Sequence, residues 1–275
     1  IWSWINSHTN NKKLLTTMAF FAAASFVVPP WEASAGEMIA IMRSFAKTGY
    51  IGYPKDECIS VPDTHRRAFE KAGGEYRRAK IKKIHIKNKK AQSVELEDGE
   101  IIEATVIISN AGIKTTMLDM IDETDLDKEY LERVKGLKGS WSALTVKLAL
   151  DKEIADGPGG FYVPTLDPEK YFEELQAGEV PDETALWLTV PSNLSPKLAP
   201  EGKQLLCLGS FMPYREGVDW TPYIEKSVEV AVKIYPEIPK HLMWQDNTTP
   251  DFIESTVGRE GALIDAAQVK SQVGK

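Results

Sequence analysis

Cysteine is nearly missing from this chain of 275 residues: there are two, Cys58 and Cys207, too few and too far apart for a disulfide framework or a zinc site. A reducing, cytoplasmic compartment is the expectation. The four histidines, His8, His65, His85 and His241, never fall at a ligand spacing, so no metal is expected. No stretch reads Gly-x-Gly-x-x-Gly, the loop whose backbone donors cradle a phosphate at a helix N-terminus. Apolar runs are short as well. The longest, 14–28, contains Thr16, Thr17 and Ser25 and stops at Pro29 and Pro30, whereas a helix needs roughly 20 apolar residues to cross a bilayer. It reads as a buried helix, with an apolar tunnel wall or peripheral contact with a membrane face as alternatives. Ile1 is not an initiator residue, and no basic segment or cleavage site makes this a signal peptide.

What is present suits an ordinary core, with 43% hydrophobic and 27% charged residues, enough for one large domain or two smaller ones. A net charge of -7, from 40 acidic against 33 basic residues, argues against a nucleic-acid partner. The densest basic run, Lys80, Lys82, Lys83, Lys87, Lys89 and Lys90, alternates with Ile81, Ile84 and Ile86 and reads as the wet side of a hairpin.

Along the chain, a helix is expected over 3–28 and a second from Ser34, whose hydroxyl and Glu37 form a capping box ahead of Met38, Ile39, Ile41, Met42 and Phe45. Gly49 and Gly52 end it. Ser60, with Asp63, is expected to cap a third helix with an inward stripe of Val61, His65, Ala68, Phe69 and Ala72, stopped by Gly73 and Gly74. Strands follow at 79–87 and 91–97, then a turn at Asp98-Gly99, then a short apolar strand, 104–109, of the kind buried in a parallel sheet. Thr124 and Asp127 cap a further helix. Residues 141–150 alternate so that Ser142, Leu144, Val146, Leu148 and Leu150 face inward, and strands at 160–164, 184–190 and 204–211 extend a mostly antiparallel sheet. Thr221-Pro222 opens a helix whose apolar side is Ile224, Val228, Val232 and Ile234, and 241–246 reads as a short strand. Gly258, Arg259, Glu260 and Gly261 form a polar loop.

Several segments carry a resemblance: Pro29-Pro30 with Glu32-Ala33-Ser34, Gly52-Tyr53-Pro54-Lys55 before Ile59-Ser60-Val61-Pro62, 68–75, and Val106-Ile107-Ile108-Ser109-Asn110-Ala111-Gly112. In these the chain is similar to the phytoene dehydrogenase-like branch, carotenoid desaturases and isomerases, of the FAD-dependent amine-oxidase-like superfamily. The resemblance implies an α+β fold, a mixed substrate domain with a partial Rossmann-like FAD-binding domain. Residues 1–55 would be the helical part of the substrate domain, 56–118 the partial FAD-binding domain, 119–250 the antiparallel sheet and helices of the substrate domain, and 251–275 a return toward a further FAD-binding segment.

FAD is the implied cofactor. The backbone of Ile81 would read the adenine edge, although the residue also suits an ordinary hairpin. Asn110, Ala111 and Gly112 would let backbone approach the dinucleotide, although the same residues make a structural turn. Catalytic side chains stay unassigned, because dehydrogenating an alkyl chain is cofactor chemistry and the protein supplies an apolar channel. Helices 14–28 and 38–45 would line that channel or pack on each other. The implied partner is an isoprenoid or other apolar small molecule, desaturated or isomerised at carbon-carbon bonds. An amine-oxidase-like flavoenzyme, a noncatalytic apolar-ligand carrier and a partner-completed subunit are the alternatives. Because family members open with the missing phosphate loop and end with a second glycine motif, the chain reads as a fragment expected to hold FAD poorly and to self-associate.

Overall fold

The computed structural model describes residues 1–49, 52–54 and 56–273; Lys55, at the expected boundary of the first domain, and Gly274 and Lys275 lie outside the described residues. The helix expected over 3–28 is two helices, α1 (Trp2–Asn6) and α2 (Lys12–Phe26). Asn11 separates them, because its side chain in an extended backbone accepts the Leu14 N–H at 3.2 Å and so starts a new helix. α2 ends at Val27, which is left-handed (φ 51°, ψ 45°) just before the prolines. Ser34 caps α3 (Ala35–Thr48) through the Glu37 N–H, and Gly49, at φ 79°, closes it. Of the apolar residues that follow this cap, Met38 is buried, while Ile39, Met42 and Phe45 are exposed.

α4 (Ser60–Lys71) departs further from expectation. Its N-cap is Ile59, and the Ser60 hydroxyl instead donates to the Glu57 carbonyl at 2.6 Å, so it does not serve the helix amides. Val61, His65, Ala68, Phe69 and Ala72 are all exposed, and no residue of α4 is buried. Gly73, at φ 90°, stops it as expected.

The small sheet is β1 (Ile81–Lys87), β2 (Lys90–Leu96) and β3 (Ile101–Glu103), in that order and antiparallel throughout. Asn88 and Lys89, at φ 51° and 59°, make the two-residue mirror-image turn that matches strand twist. The buried parallel strand expected at 104–109 is not formed. The ladder ends where the Ala104 N–H meets the Gln92 carbonyl at 2.8 Å, and beyond it no strand among the described residues pairs with the chain. Val106 is therefore 74% exposed and Ile108 90%. Both sheets are antiparallel, so the parallel Rossmann-like layer is absent among the described residues. The fold is mixed α and β.

After α5 (Lys128–Lys135), capped by Asp127 and not by Thr124, comes the large sheet. Its strands are β4 (Ser142–Leu150), β5 (Gly159–Tyr162), β6 (Leu186–Thr189), β7 (Gln204–Met212) and β8 (Leu242–Thr248), laid out β5-β6-β7-β4-β8. The intervening helices are α6 (Pro168–Ala177), α7 (Pro191–Leu194), α8 (Thr221–Ile234) and α9 (Ile238–His241), with α10 (Pro250–Val257) after β8. Alternation in β4 does what the sequence implies: Leu144, Val146, Leu148 and Leu150 are buried, and Val146 and Leu148 sit opposite Leu208 and Leu206 of β7. α8 covers this face with Val230 and Ala231, turned from the expected Ile224, Val228, Val232 and Ile234, which are only half-buried. The segment after α10 returns along the start of β4, where the Leu263 N–H meets the Trp141 carbonyl at 3.0 Å and the Ala267 N–H meets that of Lys138 at 2.8 Å.

Candidate functional site

Residues 109–117 and the returning segment come together beside the small sheet. The chain leaves the unpaired stretch at Ser109, whose hydroxyl lies 2.8 Å from that of Thr116 and 3.3 Å from the Ala111 N–H that donates to it. The Gly112 carbonyl accepts the Thr116 N–H at 2.8 Å, starting a single wide helical turn over 115–119. Asp265 ties this corner to the returning segment: its Oδ2 accepts the Ile113 N–H at 2.9 Å, and its carbonyl accepts the Ser140 N–H at 2.9 Å. Lys114 pairs with Glu260 at 2.7 Å. These contacts frame a cleft of about 360 Å³ whose walls include Ile84, Ala91, Ile107, Ser109, Ala111 and Asp265. That volume is within the roughly 300–1,000 Å³ of small-molecule sites.

Of the residues singled out from sequence, Asn110 and Ala111 are exposed, Ala111 at the cleft, and Gly112 is buried. Ile81 is half-buried, opposite Leu96, and does not line the cleft; Ile84, further along the same strand, does. The structure brings Ala111 and Ile84 of β1 to one cleft without bringing Asn110, Gly112 or Ile81 there. Gly112 is small for a reason the sequence does not show. A Cβ there would sit 2.9 Å from Cγ of Arg259, so the arginine stem lies on the glycine backbone. The Arg259 Nε is buried and has no hydrogen-bond partner. Asp265, Arg259, Ser109 and Thr116 escaped the sequence reading. For Arg259 the signal was Gly258 and Gly261 flanking two charged residues, read as a plain loop; Ser109 stood in the motif ending at Gly112 without a role; Asp265 and Thr116 carried none.

The cleft has the size of a small-molecule site, with small residues at Ser109 and Ala111 and an apolar wall that includes Ile84 and Ile107. A glycine-rich phosphate loop is not among the residues present. Acid-base candidates are scarce. Burial pushes the Cys207 thiol above its ordinary value, which disfavours the thiolate, and burial likewise raises the Tyr171 phenol, which accepts the Ala185 N–H at 2.9 Å. No cluster of His, Cys, Asp and Glu among the described residues could hold a metal.

A second opening is walled by Phe20 and Ala24 of α2, Phe161, Trp187, Gly209 and Phe211. It is an apolar slit of about 20 Å³. Of the two helices expected to line a channel, α2 reaches this slit and α3 does not. α2 also packs, with Phe20 5.3 Å from the rings of Tyr171 and Phe172. No helix among the described residues is long and apolar enough to cross a membrane.

No family model matches the chain. Among known proteins it is similar to a phytoene desaturase of Cercospora nicotianae, 27% identical over 157 residues, covering 56% of this chain and 25% of the relative. It is also similar to the chloroplastic prolycopene isomerase of Daucus carota, 25% identical over 230 residues, covering 82% of this chain and 36% of the relative. The chain thus spans about a quarter to a third of the length of these relatives. Its fold is similar to the crystal structure of an oxidoreductase from Methanosarcina mazei, with a TM-score of 0.74 and 20% identity over 96% of this chain and 57% of that one. Together these comparisons relate the chain, at low identity and over part of its relatives' length, to the broad FAD-binding, amine-oxidase-like superfamily of oxidoreductases.

Proposed function

We propose that the chain is part of a FAD-dependent oxidoreductase that desaturates or isomerises carbon-carbon bonds in an isoprenoid or another long apolar substrate. In this reading 56–118 form the cofactor side, 1–55 and 119–250 the substrate side, and 251–275 return to the cofactor. The observation that carries it is the cleft of about 360 Å³ where Ala111 and Asp265 meet the small sheet, a size that admits part of a cofactor; the aromatic slit between α2 and the large sheet, at about 20 Å³, would have to widen to admit a hydrocarbon chain. Two relatives whose names specify action on carotenoid precursors support the substrate class.

Hydride acceptance is the chemistry a flavin supplies when bound. This chain's own residues would do the rest. Ala111 would present backbone at the cleft, beside Asn110 and Gly112, Asp265 would fix the corner that carries them, and the strand bearing Ile81 would offer its backbone to the adenine. Phe20 and Phe211 would give the substrate side an apolar wall. The test is anaerobic reduction of flavin bound to the intact gene product. Bleaching by a polyene precursor and not by amines is expected; reduction by an amine alone would sink the assignment.

A further inference from the structure

The loop that meets Gly112 is built against the grain of its own residues. Gly258, Arg259, Glu260 and Gly261 stand at φ 67°, 71°, 53° and 70°, four successive residues in the left-handed region, and two of them carry side chains. Each such side chain costs roughly 1–2 kcal/mol relative to ordinary backbone. Glu260 has an evident use there, as partner of Lys114. Arg259 has none among the described residues. Its stem covers Gly112, its Nε is sealed from water, and among the described residues no carboxylate lies within ion-pair distance of it. The nearby Asp265 carboxylate takes the Ile113 N–H. A buried donor left without an acceptor is costly, and a strained position that keeps it is a place to look for a ligand.

We infer that Arg259 is an oxyanion anchor that receives a phosphate-type group beside Gly112, at the corner where 110–112 meet the returning segment. A guanidinium presents a planar fork that phosphate oxygens match two at a time, and Arg259 is half-buried with no ion-pair partner among the described residues. The sequence reading placed bare backbone at Gly112 before the ligand. In the structure that place is filled by the arginine stem, so what a bound dinucleotide would meet is Arg259. The inference rests on the cofactor reading for the identity of the natural ligand only, since the anchor itself is tested without flavin.

The probe is inorganic pyrophosphate titrated into the 275-residue chain by calorimetry at constant ionic strength, with acetate and ADP in parallel. Pyrophosphate and ADP are expected to bind and acetate not to. Arg259→Gln should weaken pyrophosphate by about tenfold or more, as loss of a charged hydrogen-bond donor does. Arg259→Lys, which keeps charge but not the fork, should fall between, and Lys135→Gln, a cation paired with Glu123 elsewhere, should match the unaltered chain. Thermal melts of each variant separate lost binding from lost folding, and Arg259→Lys carries the test if Arg259→Gln does not fold. Absence of pyrophosphate binding at about 1 mM, the weak end of specific recognition, would overturn the anchor. So would unchanged affinity in both variants, or acetate binding as well as pyrophosphate. Pyrophosphate binding without FAD binding would leave the anchor standing and count against the flavoenzyme reading.

Discussion

The large and small sheets are both antiparallel and both drawn from alternating sequence, but they differ in what covers them. β4 and β7 bury Leu148 at 0% and Leu208 at 1% exposure beneath α8, so their inner face is sealed within the chain. The small sheet has two buried apolar side chains, Ile84 and Leu96, and the stretch leaving β3 holds Val106 and Ile108 in the open. α4, next to it in sequence, buries nothing. Strand pattern decides which face is apolar; a second layer decides whether that face is a core.

The strongest way to break the comparison is to truncate one residue from each region. Leu148→Ala is expected to cost about 2–5 kcal/mol of unfolding free energy in urea, as buried leucines do, and Ile108→Ala no more than about 0.5 kcal/mol. An equal cost would mean that 104–109 is buried in solution. Next in size is Asp265→Ala, which strands the Ile113 amide and should cost about 1.5–3 kcal/mol, the range for hydrogen bonds to a charged group, and speed hydrogen exchange at that amide. A normal exchange rate at Ile113 would show that the corner holds without its tie.

Lys89→Gly should sharpen the contrast in the opposite direction. It relieves a left-handed side chain in the small sheet's turn and should stabilise that hairpin by about 1 kcal/mol, read as slower exchange across β1 and β2 with β4 and β7 unchanged. The smallest effect is that of acid. Lys82 holds Glu95 and Arg77 holds Glu100 below the ordinary carboxylate range on the small sheet, and Lys233 does so for Glu183 and Lys147 for Asp246 on the large one. A lowered folded pKa gives stability present above the unfolded value, about 4, and lost as pH falls through the folded value. Unfolding midpoints should therefore drop only below about pH 4 and with similar slopes for probes in either sheet. A decline starting near neutrality would implicate other groups.

The large sheet was legible because 142–150 obey a period of two with one wet face, and nothing else satisfies that pattern. The cap at Ser34 and the stop at Gly73 were legible for the same local reason. An unbroken apolar run such as 104–109 carries no face and no partner, so its burial could not be read from it. Ser60 misled because a hydroxyl has two nearby choices, the helix amides and the Glu57 carbonyl, and took the second. The corner at 110–112 was marked by its small residues, but its tie to Asp265 spans 152 positions and its contact with Arg259 is equally remote, beyond any local pattern. Ile81 was placed by resemblance, and the cleft is instead lined by Ile84.

Val27 sets a limit on how this protein can vary. At φ 51° its backbone favours glycine, yet its side chain is 3% exposed, and its carbonyl accepts the Trp141 N–H at 2.7 Å where the large sheet begins. Glycine would recover roughly 1–2 kcal/mol of backbone cost. It would also forfeit about 1.5–3 kcal/mol of buried valine. Larger β-branched residues keep the cost and crowd a packed interior, and polar ones are left without water. No replacement satisfies both demands, so a saturation library at this position should return valine with few rivals, on grounds of backbone and packing alone.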